Sequence, residues 1–202
     1  SGSNFFGSNS VFKNEYVTEL AATLAFSATK NNDKVGLILF SDIVELYIPP
    51  KKGKSHVLRI IRELLEFKSK SKKTNINVPL KFVSNILKNR SIAFIISDFI
   101  STDYSNSLKI FSSRHDVTGI RIYDKSEEII PNLGVIDIND NETGKRTTVN
   151  TSSKNVRKKY SEYYKSKRSE FVDYFKRSGS GIIECNTQDD YQKKLLKYFK
   201  SR

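Results

Sequence analysis

Four residues carry the side chains with which this sequence could do site chemistry: Ser1, Ser3, Thr74 and Asp98. Ser1 and Ser3 stand ahead of the first helical stretch, Thr74 precedes another, and Asp98 ends an apolar strand. Open α/β sheets gather ligands outside the carboxyl ends of their strands, where such positions converge. Hydroxyls and a carboxylate are hard oxygen donors that suit Mg²⁺ or Mn²⁺. A set so poor in negative charge leaves a bound ion seeking an acidic group from outside. Simpler roles are also open. Serines at 1 and 3 suit a chain terminus with a helix N-cap, and Thr74 suits a cap or a turn. Asp98 is the firmest of the four, because a carboxylate directly after a buried strand is costly unless a cation or a helix N-terminus meets it.

Nothing points to catalysis. The sequence has no Gly-x-Ser-x-Gly elbow, no phosphate loop, no dinucleotide fingerprint and no histidine-based metal motif. The reading is therefore a non-enzyme, with a metal-dependent hydrolase built on Asp98 as the least favoured alternative. Asp42, Asp103 and Asp124 also follow strands and read as caps or turn formers. His56 and His115 find no third ligand at zinc spacing and read as structural or surface residues. The single Cys185, after Ile182 and Ile183, reads as a small buried hydrophobe and permits a reducing compartment, with the cytoplasm as default.

The formal net charge of +13 raises polyanion binding. Lysines cluster at 51, 52 and 54, at 68, 70, 72 and 73, and along 154–167. They fall in turns or on polar helix faces, without zinc-finger spacing, an aromatic RNA-binding signature or a Gly-x-x-Gly clamp. A solvated surface is preferred, and no specific nucleic acid is expected. Binding of nucleic acid or another polyanion through these lysines remains the alternative.

The elements that must position the four residues alternate regularly. Helical spacing covers 11–30, and residues 34–41 and 43–48 form a hairpin that stops at Pro49 and Pro50. Helices follow over 55–67 and 77–87. Residues 91–97 are the clearest buried strand and the expected centre of the sheet. A helix over 108–114 leads to a strand over 116–123, a crossover that must be right-handed and parallel. A second hairpin spans 135–138 and 146–149, followed by a helix over 154–177, a strand over 181–185 and a helix over 190–199. The class is α/β with a mostly parallel central sheet flanked by helices. With 202 residues, 37% apolar, and no composition break, it reads as one domain over 1–202. No apolar run is long enough to cross a bilayer. Lacking Met and opening on Ser1-Gly2-Ser3, the chain reads as a fragment.

Those residues carry a resemblance. Ser1-Gly2-Ser3 resembles the tail of the Asp-x-Ser-x-Ser motif of the metal-ion-dependent adhesion site in von Willebrand factor A domains, with Thr74 and Asp98 at that family's threonine and strand-end aspartate. Residues 36–41, 48–53, 97–99 and 114–117, with Glu127 and Pro131-x-x-Gly134, are similar to the bacterial branch called domain of unknown function fifty-eight. The likeness runs through essentially the whole chain, including the turn at 140–144 and the helix bearing Tyr160 to Phe175.

The resemblance implies a Rossmann-like von Willebrand factor A fold lacking its usual first strand here. It implies a metal site of Ser1, Ser3, Thr74 and, through water, Asp98, holding Mg²⁺ or Mn²⁺ in the intact protein. The family's leading aspartate is absent before Ser1, so this chain is expected to bind metal weakly or not at all. The implied function is metal-ion-dependent capture of a protein partner offering Glu or Asp. Relatives of this branch accompany MoxR-type AAA+ ATPases, which implies an adaptor or recruiting factor for such an ATPase or its substrate.

Overall fold

Apolar residues three and four apart make the long first helix, α1 (Asn4–Lys30), bury Tyr16, Leu20 and Ala25 on one stripe. The computed structural model describes residues 4–71, 73–139 and 146–201. After α1, β1 (Val35–Phe40) and β2 (Val44–Lys51) pair antiparallel. Strand β2 continues through Pro49 and Pro50, where the hairpin was expected to stop. Proline is tolerated there because β2 is an edge strand and its pairing is already irregular between Val35 and Leu37.

Helices α2 (Lys54–Glu66) and α3 (Asn77–Ile86) lead to β3 (Ile92–Ser97), then α4 (Ser105–Ser112) and β4 (Asp116–Tyr123). A short 3₁₀ turn (Lys125–Glu128) and a hairpin of β5 (Val135–Asn139) and β6 (Arg146–Asn150) precede α5 (Lys154–Arg177). The chain closes with β7 (Gly181–Asn186) and α6 (Tyr191–Lys200). Strands β3, β4 and β7 form a parallel three-stranded sheet in that order, flanked by helices. The α/β class and the parallel crossover through α4 are thus present.

The expectation that residues 91–97 form the centre of the sheet is corrected. Among the described residues β3 lies at the edge of its sheet and β4 at its centre. Burial agrees, since the inner residues of β4 are fully buried while those of β3 are only partly covered. An apolar run marks a strand that wants cover on both faces, and it does not say which neighbour supplies hydrogen bonds.

Two clusters hold the sheet. On one face Val117 meets Leu80, Phe99, Leu108, Phe111, Phe171 and Phe175. On the other, Ile120, Ile122, Ile183 and Cys185 meet Tyr16, Leu20 and Leu195. Each fully buried aliphatic or phenyl side chain contributes about 1.5–3 kcal/mol. Gly119 permits this packing. A Cβ placed on it would stand 2.5 Å from Phe175 Cε1 and 2.8 Å from Phe171 Cε2, so only glycine lets α5 close onto β4.

Candidate functional site

The carboxyl ends of β1 and β3 are drawn together by hydrogen bonds between loops. Asn75 N donates to Ser41 O just after β1, at 3.1 Å. Ile76 N donates to Ser101 Oγ at 3.3 Å, and that hydroxyl donates to Thr74 O at 3.3 Å. The segment carrying Thr74 is therefore pinned between the end of β1 and the loop that follows β3. Asn75, not Thr74, fixes the turn into α3, its Oδ1 accepting from Asn77 N at 3.1 Å.

Asp98 leaves β3 through a backbone bend. Phe99 has φ of 59°, a left-handed conformation that costs a side-chain-bearing residue on the order of 1–3 kcal/mol. Its ring offsets that cost by burial, its centroid 4.3 Å from that of Phe171 at a tilt and 5.3 Å, edge-to-face, from that of Phe175. Asp98 Oδ1 then accepts from Ile100 N at 3.2 Å, and Phe99 N donates to Ser97 Oγ at 3.1 Å. The carboxylate stays about a third exposed, with Lys13 Nζ 3.6 Å from Oδ2.

Lys13 also reaches Glu127 Oε2 at 2.9 Å, which brings a carboxylate from the turn after β4 beside the one after β3. Tyr164, on α5, faces the same place. Burial raises its phenol well above the ordinary value, the Tyr160 hydroxyl adds to this, and the charges of Glu127 and Asp98 push in the same direction. It stays a neutral O–H group, accepting from Tyr160 at 3.3 Å. Lys167, one turn on, donates to Ser101 O at 3.3 Å and to Glu170 Oε2 at 2.8 Å.

Of the four sequence-derived residues, the structure gathers the Asp98 loop and the Thr74 segment at one end of the fold. Ser1 and Ser3 lie outside the described residues. Lys13, Glu127 and Tyr164 join Asp98 without having been singled out for chemistry. Lys13 and Tyr164 carried no motif and Glu127 entered only through the family resemblance, and packing of α1 and α5 on the sheet brings them together. Glu45 was missed too. Burial pushes its carboxyl up, but the Ser41 and Ser69 hydroxyls and the amides of Lys70 and Ser71 outweigh this and hold it below the usual range.

The neighbouring acids serve as turn formers. Asp103 Oδ1 accepts from Ser105 N at 2.8 Å, and Asp124 Oδ1 from Ser126 N at 2.8 Å. His115 is buried against Phe111, while His56 Nε2 lies 2.9 Å from Val35 O. Cys185 is buried among apolar side chains, which raise its thiol pKa. Among the described residues no three His, Cys, Asp or Glu side chains are grouped to hold a metal. No described helix is long and apolar enough to cross a membrane.

Two solved structures share the fold. An aerotolerance-related membrane protein from Bacteroides fragilis aligns with a TM-score of 0.57 at 16% identity, over 94% of this chain and 89% of that one. The conserved hypothetical protein BatB from Bacteroides thetaiotaomicron aligns with a TM-score of 0.58 at 14% identity, over 93% and 87%. In sequence, an uncharacterized protein of Mycobacterium bovis is 19% identical over 202 residues, covering 98% of this chain and 63% of its own length. The chain therefore spans less than two thirds of that relative. An uncharacterized protein of Mycobacterium avium is 26% identical over 116 residues, 57% of this chain and 68% of its own. A family model matches residues 1–170, across both the Thr74 segment and Asp98, and the chain belongs to the family described as protein of unknown function DUF58.

Proposed function

We propose that this chain is a von Willebrand factor A-like, metal-ion-dependent protein-binding module. It would act as an adaptor or recruiting factor for a MoxR-type AAA+ ATPase or its substrate in the cytoplasm. The observation that carries the reading is the pinning of the Thr74 segment to the Asp98 loop through Ser101, at the strand ends where an α/β sheet holds ligands.

The residues fit a hard cation in one respect that can be tested on the structure. Asp98 is a partly exposed carboxylate that already attracts a cation, the Lys13 ammonium at 3.6 Å. Thr74 and Asp98 would hold Mg²⁺ or Mn²⁺ together with Ser1 and Ser3. When bound, such an ion supplies an open coordination position for a partner's Glu or Asp. The chain's own residues do the rest. Phe99 fixes the direction in which Asp98 leaves the sheet, Ser101 fixes the spacing of the two loops, and Tyr164 presents a neutral donor beside them.

The test is a pull-down with the full-length protein, compared with its Asp98→Ala variant and repeated in EDTA. Capture of an ATPase or its substrate that is lost in both conditions is the expected result. Capture indifferent to EDTA and to Asp98 would overturn the reading. Turnover of a phosphate ester or nucleic acid with Mg²⁺ that vanishes in Asp98→Ala would replace it with a hydrolase.

A further inference from the structure

We infer that the end of the fold opposite Asp98 is a docking surface for an anionic lipid membrane. The topology defines that end. Strands β3, β4 and β7 run parallel and begin there, and the helices α3, α4, α5 and α6 that precede or follow them run back to it. Strand β1 begins there as well, because its far end shares the loop hydrogen bonds with the segment after β3. Strand β2, antiparallel to β1, ends there.

Two properties coincide on this end. The first is charge. Lys51, Lys52, Lys88, Arg90, Lys197 and Lys200 are all exposed there, drawn from three different stretches of chain, against the acids Asp33 and Asp116. Helix α6 contains no acidic residue at all. The acids that follow strands, Asp42, Asp98, Asp103 and Asp124, lie at the other end. A cluster of lysines and arginines of one sign attracts an anionic leaflet.

The second property is exposed apolar surface between the charges. Ile92 at the start of β3 is 67% exposed, Leu196 60% and Phe199 46%. The Phe199 ring lies 6.0 Å from Phe94, and Tyr198 OH lies 2.9 Å from Thr118 Oγ1, so the last turn of α6 sits over the strand beginnings beside Ile92. On α6, Lys193, Lys197 and Lys200 alternate with Leu196 around a shallow depression. At the last turn of α6, which points toward this surface, lysines flank leucine and phenylalanine, so that apolar side chains could enter the acyl boundary while ammonium groups stay at the phosphates. Nucleic acid would use the charge but leave Ile92 and Leu196 without a role. This surface goes beyond the partner-capture reading and would leave the Asp98 end facing away from the membrane.

Co-sedimentation of the purified chain with vesicles tests this. Binding is expected to equimolar phosphatidylcholine and phosphatidylglycerol, and not to phosphatidylcholine alone. Lys197→Glu/Lys200→Glu should weaken it at least about twentyfold. Leu196→Ser should weaken it severalfold at unchanged charge. Lys154→Glu/Lys158→Glu, the same charge change at the start of α5, should retain it. Circular dichroism melting confirms that each variant folds, all of these side chains being exposed. Absence of vesicle binding, equal losses in the α5 control, or preferential binding of duplex DNA untouched by Leu196→Ser would each overturn the inference.

Discussion

Lys13 stands between two carboxylates, 3.6 Å from Asp98 Oδ2 and 2.9 Å from Glu127 Oε2. The shorter contact makes Glu127 its main partner and leaves Asp98 a looser hold on the ammonium. A divalent ion at Asp98 would meet this positive charge at close range. Repulsion across a few ångströms of solvated surface amounts to about 1–2 kcal/mol. Lys13→Met is therefore expected to tighten Mg²⁺ or Mn²⁺ binding roughly tenfold, read by calorimetric titration of both chains. Unchanged affinity would show that Lys13 does not compete for Asp98. Submillimolar affinity in the unmodified chain would show that the set needs no further aspartate.

Gly119 is expected to be intolerant of any side chain. Alanine there must displace the Phe171 or Phe175 ring, whose atoms would lie 2.8 and 2.5 Å from the new Cβ. Overpacking of this kind costs about 1–3 kcal/mol. Because the same helix carries Tyr164 and Lys167, denaturant midpoints should fall and reactivity of the Asp98 end should change together. A Gly119→Ala variant as stable as the parent would count against the assigned packing of α5.

Glu184 links two arginines. Arg168 binds it through Nε and Nη2, each at 2.8 Å, and buried Arg121 approaches at 3.5 Å while also meeting Glu128 at 3.1 Å. The hydrogen bond from Arg168 holds the Glu184 carboxyl below the usual range despite burial. A depressed carboxylate contributes stability above its unfolded value, near 4.5, and loses it as pH falls through the folded value. Glu184→Gln should cost about 2–4 kcal/mol at neutral pH by leaving Arg121 short of charge. It should also flatten the acid limb of the stability curve between pH 5 and lower values, measured by urea unfolding.

His115 gives the pH effect a different window. It is buried, neither ring nitrogen has a hydrogen-bond partner among the described residues, and its ring lies 4.5 Å from that of Phe111. Burial lowers its pKa below the ordinary 6.5, and Arg114 adds to this. The unfolded chain therefore takes up a proton first. Stability is unaffected above 6.5, falls as pH drops below that value, and levels off below the folded pKa. His115→Phe should remove this slope and match or exceed the parent at neutral pH, since an unpaired polar group is exchanged for an apolar ring. A slope that persists in the variant would assign it to another group.

The legible part of this protein was local. Helical spacing placed α2, α3, α5 and α6, alternation and turn residues placed both hairpins, and the apolar run before Asp98 marked it as a strand-end carboxylate. Asp103 and Asp124 were readable as turn formers because their hydrogen bonds close within two residues. Strand order was not readable. The run over 91–97 demands cover on two faces, yet β4 takes the central position of the parallel sheet among the described residues.

The site divides in the same way. Asp98 and Thr74 could be nominated from composition and position, because a hard carboxylate or hydroxyl beside a strand end is a local feature. That Lys13, Glu127 and Tyr164 share Asp98's surroundings depends on contacts across more than a hundred residues, as in the Lys13 to Glu127 pair. Those contacts exist only because Gly119 lets α5 settle on β4 and because Tyr16 and Leu20 seat α1 on the opposite face. Sequence spacing determines which face an element offers. The packing of those faces, driven by burial, decides which charges meet.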